Sequence, residues 1–252
     1  MTVWFVGAGP GDPELITLKG ARLLQEAELV VYAGSLVNKT ILLHAGPAAR
    51  LIDSAGLALD ELVGMMAEAA VKGQQVVRLH TGDPALFGAI QEQMDALGQL
   101  GIKSTMVPGV SSYAAAAAAV GRELTMPEIS QTVIITRMGG RTPVPEKENL
   151  RSLAAHQAAM CIFLSVGMME QVAAELLSAY PPETPVAVVE KASWPEERVI
   201  QGTLGEIAQK VKAAGVIKTA MILVGDFLAE EKSRKSRLYA ADFSHGFREG
   251  KK

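Results

Sequence analysis

The sequence has a single cysteine, Cys161, and no long hydrophobic run. One cysteine excludes an intramolecular disulfide and favours a reducing compartment. No apolar run approaches the roughly 20 residues that a membrane-spanning helix needs, and the N-terminus lacks the charged and apolar segments of a secretory signal. We therefore expect a cytoplasmic protein with no membrane partner.

Aromatic residues and surplus positive charge are scarce as well. Aromatics make up 5% of the chain, and 24 basic against 27 acidic residues leave a net charge of -3. A surface that follows nucleic-acid phosphates needs excess positive charge, and one that binds bases needs aromatic platforms. We therefore expect no nucleic-acid partner.

Known sets of catalytic or metal-binding residues are also missing. The four histidines, His44, His80, His156 and His245, are scattered and form no ligand-spaced set with Cys161, so no metal site is predicted. The sequence contains no G-x-S-x-G elbow and no nucleophile with a partnered base. No catalytic residue is assigned, and we expect the reaction to depend on the positioning of its substrates.

The chain does contain apolar, β-branched segments that alternate with amphipathic ones. Strand candidates in the first half are TVWFVGAG, AELVVYAG, ARLIDS, QQVVRLHTGD and STMVPG, and those in the second half are QTVIITR, MCIFLSVG, PVAVVEKAS and TAMILVG. Such alternation predicts mostly parallel sheets covered by helices. We predict two α/β domains with mostly parallel sheets and an interdomain cleft, over residues 1–120 and 121–235, followed by a tail over 236–252.

The first strand ends in GAGPGD, residues 7–12, which is similar to the turn of a dinucleotide site. That fingerprint requires a third glycine where this chain has Asp12. The Asp12 carboxylate would compete with a phosphate for the amides of a helix N-terminus, and Pro10 removes one donor. The loop is therefore chemically unsuited to a dinucleotide, although an NAD- or nucleotide-binding α/β protein is the alternative from another class.

Further loops rich in glycine, proline and serine follow other predicted strands, where α/β sheets bind their ligands. In TGDP, residues 81–84, Gly82 permits close backbone approach, and Asp83 either caps the next helix or helps to hold a polar, zwitterionic ligand. In VPGVSS, Ser111 or Ser112 either caps the alanine-rich helix or contacts a ligand, and both roles are compatible.

Two arginines, Arg137 and Arg141, lie on the glycine-containing loop TRMGGRTPVP. Guanidinium groups bind carboxylates through paired hydrogen bonds, although exposed arginines on loops are more often only solvated.

In their order along the chain, these loops resemble those of the tetrapyrrole methylases of corrin and sirohaem synthesis. The segments GAGPGDPELITLKGARLLQEAELVVYAG, TGDPALFG and VPGVSSYAAAAA carry the resemblance, which covers nearly the whole chain. The segments TRMGGRTPVPE, KASWPEE and RLYAADFSH resemble the branch of that family that methylates C11 of precorrin-4 or of cobalt-precorrin-4.

The resemblance implies methyl transfer from S-adenosyl-L-methionine to a tetrapyrrole, by a homodimer of two α/β domains in a kinked arrangement with the cofactor in the cleft between them. A methylase of the same family that acts at another ring carbon is the alternative to C11 methylation. It implies cofactor contacts from nine residues: Pro10, Thr81, Gly82, Asp83, Leu86, Ser111, Ser112, Leu164 and Ala192.

Substrate contacts are expected from Arg137 and Arg141, while Asp12 either faces the tetrapyrrole or caps the following helix. The sequence departs from uroporphyrinogen methylases of the family, which carry an aspartate just after the tyrosine of the second strand. Here Ala33 and Gly34 follow Tyr32, which argues against uroporphyrinogen III as the substrate.

Overall fold

The computed structural model describes residues 2–34, 36–229 and 240–249. The chain divides into a first unit, Met1–Ala115 with Lys191–Glu197, and a second unit, Ala116–Glu190 with Arg198–Lys252. Of the predicted tail, residues 236–239 and 250–252 lie outside the described residues, and so does part of the RLYAADFSH segment. The domain limits near residues 120 and 235 stay predictions.

The first unit contains a five-stranded, fully parallel sheet in the order β3-β2-β4-β1-β5. Its strands match the five candidates predicted in the first half of the chain: β1 Thr2–Gly7, β2 Leu29–Tyr32, β3 Arg50–Asp53, β4 Val76–His80 and β5 Lys103–Val107. The central strands β2 and β4 are buried along their whole length, as expected of a parallel sheet covered on both faces.

Three helices of this unit are α1 Leu18–Glu26, α2 Leu59–Val71 and α3 Gln91–Gln99, with 3₁₀ turns at Pro13–Leu15 and Lys39–His44. Helix α4, Ser112–Ala119, begins in this unit and continues into the second. One apolar cluster packs Phe5 against Met66 of α2, and another packs Val6 against Leu24 of α1. The consecutive residues Phe5 and Val6 of β1 therefore anchor helices on opposite faces of the sheet, so that the strand ends are held at one edge.

The second unit contains a mixed sheet in the order β6-β7-β10-β8-β9. Its elements are β6 Val133–Arg137, α5 Leu150–Ala154, β7 Ala159–Phe163, α6 Met169–Leu176, β8 Pro185–Glu190, β9 Arg198–Thr203, α7 Ile207–Ala213 and β10 Ala220–Val224, with 3₁₀ turns at Glu146–Glu148, Val166–Met168 and Asp226–Leu228. Met160 and Ile222 are fully buried in its core, beside Leu176 of α6.

The two-domain α/β class is confirmed, but the expectation of mostly parallel strands holds for the first sheet alone. Among the described residues, only the β6–β7 pairing of the second sheet is parallel. Strands β8 and β9 are separated by seven residues, 191–197, and a parallel crossover needs about a dozen or more. Strand β9 was not predicted, because its sequence RVIQGT mixes polar and apolar residues and no position in it is fully buried.

The helices within the described part of the chain are too short or too polar to span a bilayer.

Candidate functional site

Three glycine-rich loops of the first unit meet at the carboxyl edge of its parallel sheet. Gly9 and Gly82 exchange backbone hydrogen bonds, of 3.3 Å from Gly9 N and 2.7 Å from Gly82 N. A β-carbon on Gly7 would lie 2.6 Å from both Gly109 Cα and Gly82 O. The loops after β1, β4 and β5 can therefore touch only because these positions carry no side chain.

Three amides of the GAGPGD loop are already used within the protein. Ala8 N donates to His80 O at 2.7 Å, Gly9 N donates to Gly82 O, and Asp12 N donates to Ser193 Oγ at 3.0 Å. Pro10 has no amide hydrogen. A phosphate cradle requires free amides pointing at the ligand, so this loop is not built to bind a dinucleotide.

The Asp83 carboxylate joins two of the three loops. Its Oδ1 accepts a hydrogen bond from Ala85 N at 2.8 Å, and its Oδ2 accepts one from Gly109 N at 3.3 Å. The first bond closes the TGDP turn and the second holds the VPGVSS loop. Asp83 therefore fixes the backbone on which neighbouring site candidates are placed.

Three residues with hydroxyl groups lie where these loops meet. A β-carbon on Gly82 would lie 3.6 Å from Ser112 N and 3.7 Å from Ser111 Cα, and Thr81 is the chain neighbour of Gly82. The Ser111 carbonyl accepts from Ala114 N at 3.0 Å and begins α4. Within the described residues, the hydroxyls of Thr81, Ser111 and Ser112 have no hydrogen-bond partner, so they are available to a polar ligand.

Asp12 caps a helical turn, which is one of the two roles predicted for it. Its Oδ1 accepts from Glu14 N at 2.9 Å at the start of the 3₁₀ turn Pro13–Leu15, whereas α1 is capped by Thr17. Contact between Asp12 and a tetrapyrrole stays a prediction.

The segment Lys191–Glu197 comes from the second half of the sequence but packs within the first unit. Ala192 is buried, and the next two residues bond to the GAGPGD loop. Trp194 Nε1 donates to Pro10 O at 2.9 Å, and Ser193 Oγ accepts from Asp12 N. Two predicted cofactor residues, Pro10 and Ala192, are thus brought together, whereas sequence analysis did not single out Trp194 or Ser193.

In the second unit, Leu164 follows β7 with φ of 54° and 64% of its surface exposed. An exposed leucine in the left-handed region is strained, and such strain concentrates at functional sites. Its neighbour Ser165 is fully buried, accepts from Met138 N at 2.9 Å and donates to Phe163 O at 2.6 Å. Ser165 therefore joins the Leu164 loop to the loop after β6.

Of the two predicted substrate arginines, Arg137 ends β6 and Arg141 lies on the loop after it, and they differ in their contacts. The Arg137 guanidinium donates to the carbonyls of Met138, Thr142 and Pro143 at 3.3, 3.2 and 2.7 Å. Arg141 is exposed, and no described residue forms a hydrogen bond or ion pair with it. Arg137 therefore shapes the loop, while the Arg141 guanidinium is available to an anion.

Two buried polar residues of β4 lie beneath the loops, and sequence analysis gave neither a role. Arg78 donates to Gln93 Oε1 at 3.1 Å and to Val31 O at 3.3 Å. His80 stacks on Phe5 with 5.9 Å between ring centroids, and its buried Nε2 has no hydrogen-bond partner among the described residues. Burial, with a smaller contribution from the charge of Arg78, lowers the His80 pKa to about 3.

A cavity of about 290 Å³ in the second unit holds none of the predicted site residues. It lies between α6 and α7 and is lined by residues including Met168, Val211 and Ile217. The candidate site is therefore assigned to the glycine-rich loops and not to this cavity.

Residues 2–208 match the sequence model of the family described as Tetrapyrrole (Corrin/Porphyrin) Methylases. The chain belongs to this family of methylases. The methylase is 52% identical over 251 residues to a cobalt-precorrin-4 C(11)-methyltransferase of Methanocaldococcus jannaschii, covering 99% of this chain and 97% of the relative. It is 48% identical over 250 residues to a precorrin-4 C(11)-methyltransferase of Pseudomonas aeruginosa, covering 99% of this chain and 100% of the relative.

Solved structures agree with this assignment. The X-ray structure of a cobalamin biosynthetic enzyme, cobalt precorrin-4 methyltransferase, is 46% identical with a TM-score of 0.88, covering 90% of this methylase and 95% of that chain. A uroporphyrin-III C-methyl transferase from Thermus thermophilus complexed with S-adenyl homocysteine is 32% identical with a TM-score of 0.77, covering 90% of this methylase and 99% of that chain. The family and fold expected from the loop motifs are confirmed.

Backbone strain in the methylase concentrates on three of the loops that the resemblance implicates. Among the described residues, eight non-glycine residues have positive φ, and five of them lie at a predicted cofactor position or within three residues of one: Phe87, Ala89, Leu164, Lys191 and Ser193. By contrast, the buried Cys161 is no nucleophile, because burial raises its pKa to about 12. The individual cofactor and substrate residues stay predictions.

Proposed function

We propose that this methylase transfers a methyl group from S-adenosyl-L-methionine to C11 of precorrin-4, giving precorrin-5, or to C11 of cobalt-precorrin-4, in cobalamin biosynthesis. Similarity along 99% of the chain to two relatives named for C11 methylation carries the proposal. One relative is named for the cobalt form and the other is not, so the proposal includes both substrates.

The loops of the first unit suit the proposed methyl donor. S-Adenosyl-L-methionine carries hydroxyl, amino and carboxylate groups, and the free hydroxyls of Thr81, Ser111 and Ser112 can bond to such groups. We propose that these residues bind the cofactor together with the remaining predicted positions: Pro10, Gly82, Asp83, Leu86, Leu164 and Ala192. The neighbour complexed with S-adenyl homocysteine supports this choice of cofactor.

The proposed chemistry needs little acid–base machinery. When bound, S-adenosyl-L-methionine supplies an electrophilic methyl group on a sulfonium. The contribution of the protein is to align that methyl group with an electron-rich ring carbon, and ideal alignment is worth about 7 to 11 kcal/mol. The Asp83 bridge and the contacts among Gly7, Gly82 and Gly109 provide the rigid backbone that alignment requires.

The arginines after β6 are proposed to bind the carboxylates of the tetrapyrrole. A protein of net charge -3 has no long-range field that attracts a polycarboxylate. Local cations must do so, and the guanidinium of Arg141 has no partner in the part of the chain that the structure describes. Arg137 holds the loop that carries Arg141, and Asp12 is proposed to face the substrate with the oxygen that does not cap the turn.

The decisive experiment is ¹³C NMR of the product after incubation with precorrin-4 and S-adenosyl-L-methionine labelled in its methyl group. We expect one enriched methyl group on C11, and a parallel incubation with cobalt-precorrin-4 identifies the preferred substrate. Label on another ring carbon would contradict the C11 assignment, and no transfer by folded protein would overturn methylation of this substrate. As a control, calorimetry should detect binding of S-adenosylhomocysteine and none of NAD.

We also propose that the protein is a cytoplasmic homodimer. The dimer rests on the family resemblance, and the compartment rests on the single buried cysteine. Sedimentation velocity on the full chain tests the dimer.

A further inference from the structure

Three side chains hold the GAGPGD turn from outside the loop. Trp194 Nε1 donates to Pro10 O at 2.9 Å, Asn38 Nδ2 donates to Gly11 O at 2.8 Å, and Ser193 Oγ accepts from Asp12 N at 3.0 Å. Every one of the three turn residues, 10 to 12, therefore has a main-chain atom bonded to a distant part of the sequence.

The indole ring also determines which residue can occupy the turn. A β-carbon on Gly11 would overlap Cδ1 and Nε1 of Trp194. Gly11 is buried, so the ring and the turn backbone are packed directly against each other. A displaced indole would remove a hydrogen bond from Pro10 and a packing surface from Gly11 together.

The segment that carries Trp194 is itself held in one conformation. Lys191 and Ser193 have φ of 49° and 67°. Glu197 accepts a hydrogen bond from Ser193 N at 2.6 Å, and Trp194 N donates to Lys191 O at 2.9 Å. The Lys191 ammonium lies 5.6 Å from the indole centroid, within the range of a cation–π interaction. The indole is therefore held in place before any ligand binds.

We infer that Trp194 is a positioning residue for cofactor binding, which holds the Pro10 turn and the Ala192 segment at the separation that the cofactor requires. This inference rests on the proposed function, because Pro10 and Ala192 are two of the proposed cofactor residues. Trp194 acts through the backbone of the turn and is not itself assigned a contact with the cofactor.

Calorimetric titration of S-adenosylhomocysteine into wild type and Trp194→Phe tests the inference. Phenylalanine keeps an aromatic ring and removes the N–H donor, and a net hydrogen bond of about 0.5 to 1.5 kcal/mol corresponds to an increase in Kd of about two- to tenfold. The number of sites per chain should stay unchanged, since a merely structural role would lower the number of sites and leave Kd unaltered. Trp4→Phe, a tryptophan change on β1 next to Lys19, is the matched control and should bind as wild type.

If Trp194→Phe does not fold, replacement of Trp194 by benzothienylalanine, which exchanges the N–H for sulfur at nearly constant shape, gives the same comparison. Equal Kd values for wild type and the Trp194 variants would overturn the inference. Absence of binding by the wild type would instead overturn the proposed function, and the inference with it.

Discussion

At the scale of single residues, Asp83 closes a turn and does not cap the next helix as one alternative held, because α3 begins only at Gln91. Its Oδ1 bonds to Ala85 N within its own turn, and its Oδ2 bonds to Gly109 N in the loop after β5. The same carboxylate therefore caps a turn and joins two loops that carry proposed cofactor residues. Only the second role depends on a residue distant in the sequence.

We expect Asp83→Ala to weaken S-adenosylhomocysteine binding by about 1 to 3 kcal/mol, because a charged acceptor is lost and Gly109 N is left without a partner. The fold should survive, since the half-buried side chain lies in the loop after β4 and is no part of an apolar cluster. Calorimetry measures the affinity and thermal unfolding checks the fold. Asp60→Ala, an exposed aspartate in the first turn of α2, is the control. Unchanged affinity in Asp83→Ala would reduce Asp83 to a cap.

At the scale of elements, the loop after β6 separates two arginines that look equivalent in the sequence. Arg137 binds three carbonyl groups of its own loop, whereas Arg141 is exposed on the same loop. One guanidinium therefore stabilises the conformation from which the other is presented.

We expect Arg137→Ala and Arg141→Ala each to raise the tetrapyrrole KM by about tenfold or more, which corresponds to about 1.4 kcal/mol of lost binding. Affinity for S-adenosylhomocysteine should stay within about threefold, and lysine should restore only part of the loss, because it lacks the planar fork. Hydrogen exchange over residues 138–145 should accelerate in Arg137→Ala alone. Loss of cofactor affinity with an unchanged KM would assign this loop to the cofactor and contradict the prediction.

At the scale of the whole molecule, the buried His80 links unfolding to pH. Its pKa falls from 6.5 to about 3 on folding, because burial and then the nearby Arg78 charge disfavour the imidazolium. Below pH 6.5 the unfolded chain therefore takes up a proton that the folded protein does not. Stability from this group is fully present above pH 6.5 and is lost as the pH falls towards 3.

We expect His80→Phe to remove this proton linkage. In wild type, the linkage lowers the free energy of unfolding by about 1.4 kcal/mol for each pH unit of acidification between pH 6 and pH 4. The free energy of unfolding, measured with urea, should accordingly decrease as the pH falls, and it should decrease more steeply in wild type than in His80→Phe. His156→Gln, at an exposed position, is the matched control. Parallel pH profiles for wild type and His80→Phe would show that His80 is protonated equally in both states.

Much of the first unit followed from local pattern. Its five strands lie where apolar, β-branched segments precede glycine-containing turns, and the central strands β2 and β4 are covered on both faces. The mixed order of the second sheet could not be predicted in the same way. Strand β10 pairs with both β7 and β8, and these partners are chosen by the path of the chain and not by the strand sequence.

The sequence by itself determined the family, the order of the loops and the residue types that they offer, because motifs and strand periodicity are local properties of the chain. Only the tertiary structure decided which loops meet: Trp194 with Pro10, and Asp83 with Gly109. It also decided that the buried His80 Nε2 has no hydrogen-bond partner in the described part of the chain and that Arg137 is used within its own loop. Each of these contacts depends on how the elements pack, so no periodicity or spacing in the sequence encodes it directly.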